Sequence, residues 1–167
     1  MSDFINTADV LGDDAVTDSI IDRSITEYHD DTVITVNTNA FNTCSALTNA
    51  RIPVARVINA YAFADCPALT SVDTRDLRGI DSYAFVRCSN LVALILRYEG
   101  GIASAWASNI FDNTPIKSGT GYIYVPSAFV DRYKAATNWS NFASKFRALE
   151  DYTVDGTVTG ELDPTKI

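Results

Sequence analysis

Residues 58–69 read Ile58-Asn59-Ala60-Tyr61-Ala62-Phe63-Ala64-Asp65-Cys66-Pro67-Ala68-Leu69, and this stretch decides the fold because it recurs. Its Ala-Phe pair returns at Ala40-Phe41 and Ala84-Phe85, twenty-two residues to either side. A cysteine follows each phenylalanine by three (Cys44, Cys66, Cys88), and a leucine follows each cysteine by three (Leu47, Leu69, Leu91). A fixed period of this length marks a solenoid, whose units bury their apolar side only against their neighbours.

Setting the Ala-Phe pairs in register aligns further columns. Val36, Ile58 and Ile80 share one, which Ile102 continues. Leu47, Leu69 and Leu91 fall on Ile25, and Ala50, Val72 and Leu94 fall on Tyr28, so a half-unit precedes the first full one. Ile52, Thr74 and Leu96 share another column. The segment Leu-x-x-apolar-x-apolar alternates in its second half, as a short strand does. Ala-Phe-x-x-Cys fits a single helical or 3₁₀ turn that points Phe and Cys inward together. Pro53, Pro67 and Gly79 sit where a coil has to turn. Stacked units of this kind make parallel sheets at about 4.8 Å per rung. Each inward column becomes a ladder of like residues, and each buried Phe or Leu contributes about 1.5–3 kcal/mol.

The ends depart from the repeat. Asp13 to Asp22 reads as a short helix opened by two aspartates, with Val16 and Ile20 on its buried side and Ser24 to Tyr28 as the first strand beyond it. In the fourth unit Phe111 follows Phe85 by 26 residues instead of 22, and Thr114 takes the cysteine position. The four extra residues are expected within Ala103 to Asn109, around Trp106, as a bulge or short helix. Tyr122-Ile123-Tyr124-Val125-Pro126 is expected to be the last strand. Ser127 is placed to cap a helix, and Phe129, Tyr133, Ala136, Trp139, Phe142, Phe146 and Leu149 continue an apolar stripe through a break at Thr137-Asn138. That stripe predicts one or two amphipathic helices over 127–149. In the tail, Asp155-Gly156 is a hairpin signal.

The pattern Ile-x-x-x-Ala-Phe-x-x-Cys-x-x-Leu at this period resembles the BspA-like leucine-rich repeat, and residues 58–69 fit it at every marked position. The resemblance covers residues 25–126. Ile123-Tyr124-Val125-Pro126 followed by Tyr133-Lys134-Ala135-Ala136-Thr137-Asn138-Trp139 looks like the end cap of such proteins. It implies an α/β fold: a right-handed leucine-rich-repeat solenoid, strand-rich, with parallel sheets, short helical turns and helical caps at both ends. The expected parts are an N-terminal extension and cap (1–24), the solenoid (25–126), a C-terminal helical cap (127–150) and a tail (151–167). Thr74 in a strand column, Thr114 for Cys and Arg56-Val57 at a turn depart from the pattern. Secreted members of the family are surface proteins used in adhesion, and short leaderless forms occur in bacteriophages of gut Firmicutes.

Composition narrows the function. The net charge of −8 argues against a nucleic-acid surface, which needs clustered Lys and Arg. No apolar run approaches the roughly 18 residues of a membrane span. The N-terminus lacks the basic and apolar regions of a signal peptide, so synthesis in a cytoplasm with reduced cysteines is expected.

Three cysteines invite a metal site, but their spacing sets them on successive rungs in a line, whereas tetrahedral zinc needs converging ligands. A ladder of buried thiols is the expectation; a disulfide between adjacent rungs would leave one cysteine over. His29, the only histidine, has Asp30 and Asp31 beside it but no nucleophile motif, and reads as an exposed side chain without a catalytic part. Asp151, Asp155, Glu161 and Asp163 lack the alternation of a calcium loop. Asp73 with Asp76, or Asp76 with Asp81, are the nearest carboxylate pairs for glycoside cleavage. No cofactor is expected, and the chain is not expected to be an enzyme.

Outward strand positions are more informative. They predict a Thr26–Thr48–Thr70–Val92 ladder and a His29–Arg51–Asp73–Ile95 ladder. Arg51 and Asp73 are expected to pair across rungs at the surface, worth a few tenths of a kcal/mol. Val92, Ala93 and Ile95 make the third rung apolar outside as well as inside. This patch is either a contact surface or is covered by the cap or by the Trp106 insertion. The candidate interaction surface is therefore Arg51, Asp73, Val92, Ile95 and Trp106. With the family resemblance, the expected function is a non-enzymatic binding or structural protein of a phage virion, in tail, baseplate or head decoration. Its partners would be other virion proteins or a bacterial surface ligand, protein or glycan, with the termini placed to build a homo-oligomer. A bacterial cell-surface adhesin is the alternative.

Overall fold

The computed structural model describes residues 15–16, 22–154 and 157–158. Its elements in chain order are β1 (Ala15–Val16), β2 (Glu27–His29), β3 (Thr35–Val36), β4 (Asn49–Arg51), β5 (Val57–Ile58), β6 (Ser71–Thr74), β7 (Gly79–Ile80), β8 (Ala93–Leu96), β9 (Ser104–Ala105), α1 (Pro115–Ser118), β10 (Tyr122–Val125), α2 (Val130–Ala135), β11 (Phe146–Ala148), β12 (Thr153–Val154) and β13 (Thr157–Val158). Strands β1-β3-β5-β7-β9 form one parallel sheet and β11-β10-β8-β6-β4-β2 a second. Each of the four coils from β2 to β9 gives one strand to each sheet. Glu27, Asn49, Ser71 and Ala93 are successive register partners, as are Thr35, Val57 and Gly79, so the 22-residue period is the strand register itself. Strands β12 and β13 pair antiparallel across the Asp-Gly signal.

The Ala-Phe segments close the third side of each coil. They are not helical turns. In each coil two tight turns follow one another, with residues of left-handed φ at Asn39, Tyr61 and Tyr83 and again at Thr43, Asp65, Arg87 and Asn113. The second turn is held by the amide of Cys44 or Cys88 donating to the carbonyl of Phe41 or Phe85. Third-position residues of such turns need positive φ, which usually calls for Gly or Asn. Phe and Cys still point inward together because the bond spans three residues, and all three cysteines are fully buried.

Inside, the phenylalanines stack. Ring centroids of Phe41, Phe63, Phe85 and Phe111 lie 4.8, 5.3 and 5.7 Å apart in turn, with planes within 11°. Tyr28 meets Phe41 edge-on at 4.7 Å, and Phe142 meets Phe111 edge-on at 5.1 Å. Edge-on rings finish a stack by turning their positive rim to its exposed face. The Cys66 and Cys88 thiols donate to the carbonyls of Phe41 and Phe63 on the preceding coil, at 3.0 and 2.9 Å.

Several expectations are corrected at the ends. Ala105, not Ile102, pairs with Ile80. Three of the four extra residues lie in the corner 97–103, where Arg78 sits 4.1 Å over the Tyr98 ring, and one lies between Ala105 and Phe111. The short helix is α1, beyond Phe111, with Thr114 as its N-cap accepting from the Lys117 amide. Tyr122–Val125 is not the last strand. The helical stripe stops at Lys145, and Phe146–Ala148 pairs with β10, bringing Phe146 opposite Ile123 in the inward column. The break at Thr137-Asn138 is present, with Asn138 at φ +64°. Ser127 opens a 3₁₀ turn and makes no cap bond. Within the segment expected as an N-terminal helix, Ala15–Val16 is a strand paired with Thr35–Val36, and most of the remainder lies outside the described residues.

Two stability predictions follow from this packing. Phe63→Ala, in the middle of the stack, should lower the free energy of unfolding by about 3–5 kcal/mol in denaturant titration. Thr43 is exposed, β-branched and held at φ +62°. Thr43→Gly should therefore raise stability by about 1 kcal/mol in the same assay, because left-handed φ costs an L-residue about that much.

Candidate interaction surface

Two outward columns run the length of the six-stranded sheet. One is Glu27–Asn49–Ser71–Ala93–Tyr122, and the other His29–Arg51–Asp73–Ile95–Tyr124–Arg147. The second contains the ladder read from the sequence. The threonine ladder is also present, with Thr48 and Thr70 each donating a hydroxyl to the carbonyl of the threonine below. Polar side chains bridge coils in the first column: Asn49 Nδ2 donates to Glu27 Oε1, and Ser71 Oγ meets Asn49 Oδ1.

The second column does not stay at the surface. Asp73 is fully buried and Arg51 is 6% exposed. They do not pair with each other. Arg51 Nη1 donates to Asp31 Oδ1 at 2.9 Å, and Arg97 grips Asp73 with a fork, Nε to Oδ1 at 2.8 Å and Nη2 to Oδ2 at 3.0 Å. The planar guanidinium matches the carboxylate in a way a single donor does not. Burial pushes the Asp73 carboxyl up, and the Arg97 bonds oppose the shift, with Arg51 and Arg75 adding to them. Asp73 is thus committed to Arg97 and is not a free partner for Asp76 in carboxylate chemistry.

Beside Asp73, the C-terminal segment lies over the sheet. Leu149 and Tyr152 pack on Ala93 and Ile95, with Tyr124 beside them, as a second apolar cluster on the outer side of the sheet. The apolar outer face of the third rung is covered by the cap, and Trp106 takes no part. Tyr152 lies close to the ion pair: burial and the Asp73 charge push its phenol up to about 12, against Arg97. Val92, at the edge of this cover, is 40% exposed. Trp106 is 50% exposed and belongs to the other sheet, where its six-membered ring occupies the space a side chain on Gly79 would need. The five candidates therefore divide: Val92 and Trp106 are accessible on different walls, Arg51 is nearly covered, and Asp73 and Ile95 are inside. Arg97 and Tyr152 were not singled out from sequence, and Leu149 was read only as the end of the helical stripe. Arg97 follows Arg75 by one full period, a column the alignment of apolar residues passed over, and Leu149 and Tyr152 lie beyond the repeat.

Other candidates are also placed. His29 is half-buried and lies 3.0 Å from Asp31; desolvation and Arg51 push its pKa down, and Asp31 and Asp30 oppose them. The Cys44 thiol is pushed up to about 11 by burial, and Cys66 further still by the neighbouring Cys88 thiol and burial. Among the described residues no three metal-binding side chains converge. Asp155, Glu161 and Asp163 lie outside the described residues.

The ion pair generates a prediction with a distinctive sign. Removing one partner should be costly, about 3–5 kcal/mol for Asp73→Leu or Arg97→Met, because each leaves a buried charge alone. The double replacement Asp73→Leu with Arg97→Met should be markedly less destabilising than either single change. A thermodynamic cycle by denaturant unfolding reads this directly, and additive single losses would refute it.

No curated protein matches the chain. The family model described as the BspA type leucine rich repeat region matches in six copies across residues 22–128, more than half of the sequence. The matched span coincides with the coils from Ile25 to Val125 that the strand register stacks. Repeat, register and family match agree, and the chain belongs to the BspA-type leucine-rich-repeat family.

Proposed function

We propose that this protein is a non-enzymatic, adhesin-like binding module that offers the outer face of its six-stranded sheet to another protein. One observation carries the reading. The cap covers that face only at its C-terminal end, over Ala93 and Ile95, and leaves Thr48, Asn49, Thr70, Ser71 and Val92 half-buried or exposed on a continuous parallel sheet. Leucine-rich repeats generally serve protein–protein contact through such surfaces. A flat array of hydroxyl and amide groups, edged by one exposed valine, fits a partner recognised by hydrogen bonds around a small apolar anchor.

The finer form of the proposal is a component of a phage virion, in tail, baseplate or head decoration. Its support is the resemblance to the short repeat proteins of phages. A cell-surface adhesin is the alternative, supported by the adhesive use of secreted family members. Mass spectrometry of purified particles should find the protein; its absence from particles and presence on cells free of prophage would reverse the choice. For the surface itself, a photoreactive residue at Thr70 should crosslink a second protein in the native source, and one at Ser118, exposed on α1, should not. Equal crosslinking from both positions, or none from position 70, would refute the assignment.

A further inference from the structure

The sheet that carries Trp106 ends at β9, and its open edge is almost fully used. The Ser104 and Trp106 amides donate inward to the carbonyls of Arg78 and Ile80, at 2.8 and 2.9 Å. In a parallel ladder the alternate residues, Ala103 and Ala105, then point to the open side. Three of their four backbone groups are taken by side chains of the C-terminal cap. The Ala103 amide donates to the Tyr133 hydroxyl at 2.8 Å, Trp139 Nε1 donates to the Ala103 carbonyl at 2.7 Å, and Asn138 Nδ2 donates to the Ala105 carbonyl at 2.8 Å. The fourth group, the Ala105 amide, has no acceptor among the described residues. Ala105 lines a recess of about 370 Å³ together with Ser104, Trp106, Thr137 and Trp139.

Three features of this recess restrict what it takes. An added strand is excluded, because the cap already holds both carbonyls and the other amide that a strand would pair with. No charged side chain lines it, so a charged ligand would be desolvated without compensation. Its one large exposed surface is the Trp106 indole, seated on the bare backbone of Gly79 and thereby held in place. Ser104 and Thr137 bring hydroxyl side chains to the lining, beside the Ala105 amide. A rigid indole face beside a few neutral hydrogen-bonding groups matches a pyranose ring, which has an apolar face of C–H groups and a rim of hydroxyls.

We propose that this recess binds one neutral pyranose residue of a glycan, stacked on Trp106, with a sugar oxygen accepting from the Ala105 amide. The site lies on the sheet opposite the face assigned to a protein partner and does not rest on that assignment. It gives the protein a second binding activity, toward carbohydrate.

Ligand-observed NMR of the full chain with the methyl glycosides of glucose, galactose, mannose and N-acetylglucosamine tests it. At least one should show saturable transfer from the protein, with the strongest signal on the protons of one ring face. Trp106→Ala should weaken that binding at least about tenfold, the loss expected for one aromatic contact and its covered area. Gly79→Val, whose side chain displaces the indole without removing it, should do the same. Melting curves of both variants check that the fold persists, and Ser118→Ala, exposed on α1, should bind as the parent does. The proposal is overturned if no glycoside in the panel binds, if Trp106→Ala binds as well as the parent, or if only an aromatic peptide such as N-acetyl-tyrosinamide competes for the recess.

Discussion

Every coil of this protein has to lie on the one before it at the spacing of hydrogen-bonded strands. That constraint shapes the core. Planar rings stack at nearly the same spacing as parallel strands, about 4.8 Å, and the Phe41–Phe63 centroid distance of 4.8 Å meets it. Phenylalanine in one column therefore satisfies the sheet spacing and the packing together. The separation grows to 5.7 Å at Phe111, in the coil that carries the insertion. The thiol column serves the same register, since Cys66 and Cys88 reach back one coil to the carbonyls of Phe41 and Phe63. A small side chain with a weak donor fits that gap.

What was legible in the sequence was what the period repeats. Inward columns, outward ladders and even the Asn138 break follow from sequence spacing or local chemistry. What was not legible depends on contacts between parts that do not share a period. Ile102 looked like the continuation of Val36, Ile58 and Ile80 because it is apolar and correctly spaced. The corner 97–103 grew around Tyr98, and the strand moved on to Ala105. Phe146 fitted the helical stripe, yet the open edge of β10 offered backbone partners that a helix ending in mid-air would have lacked. The turns of left-handed φ were hidden because Tyr, Thr, Asp and Arg hold positions where glycine is the usual signal.

The same distinction governs the candidate surface. Facing outward in a strand predicted exposure for Asp73 and Ile95, and it gave their columns correctly. It did not reveal that Leu149 and Tyr152 return across the sheet. Once that cover is in place, an ion pair of little value in water becomes a buried fork between Arg97 and Asp73, where breaking it is expensive. The walls of the solenoid thus differ in kind. One sheet is polar and open toward the N-terminal coils and dry toward the C-terminal end, and the other carries a seated indole beside its final edge.

The bonds from Tyr133, Asn138 and Trp139 to Ala103 and Ala105 also set how such a chain can change length over generations. They are side-chain contacts addressed to the backbone of one particular coil, the irregular fourth. A duplicated 22-residue unit placed among the regular coils would leave that junction untouched, since each regular coil presents the same register above and below. A unit added after the fourth coil would strip those two carbonyls and the Ala103 amide of their partners and present the cap with a corner of the wrong length. Gain and loss of repeats in this lineage should therefore be confined to the stretch before Arg97, with the final coil and the cap inherited as one piece.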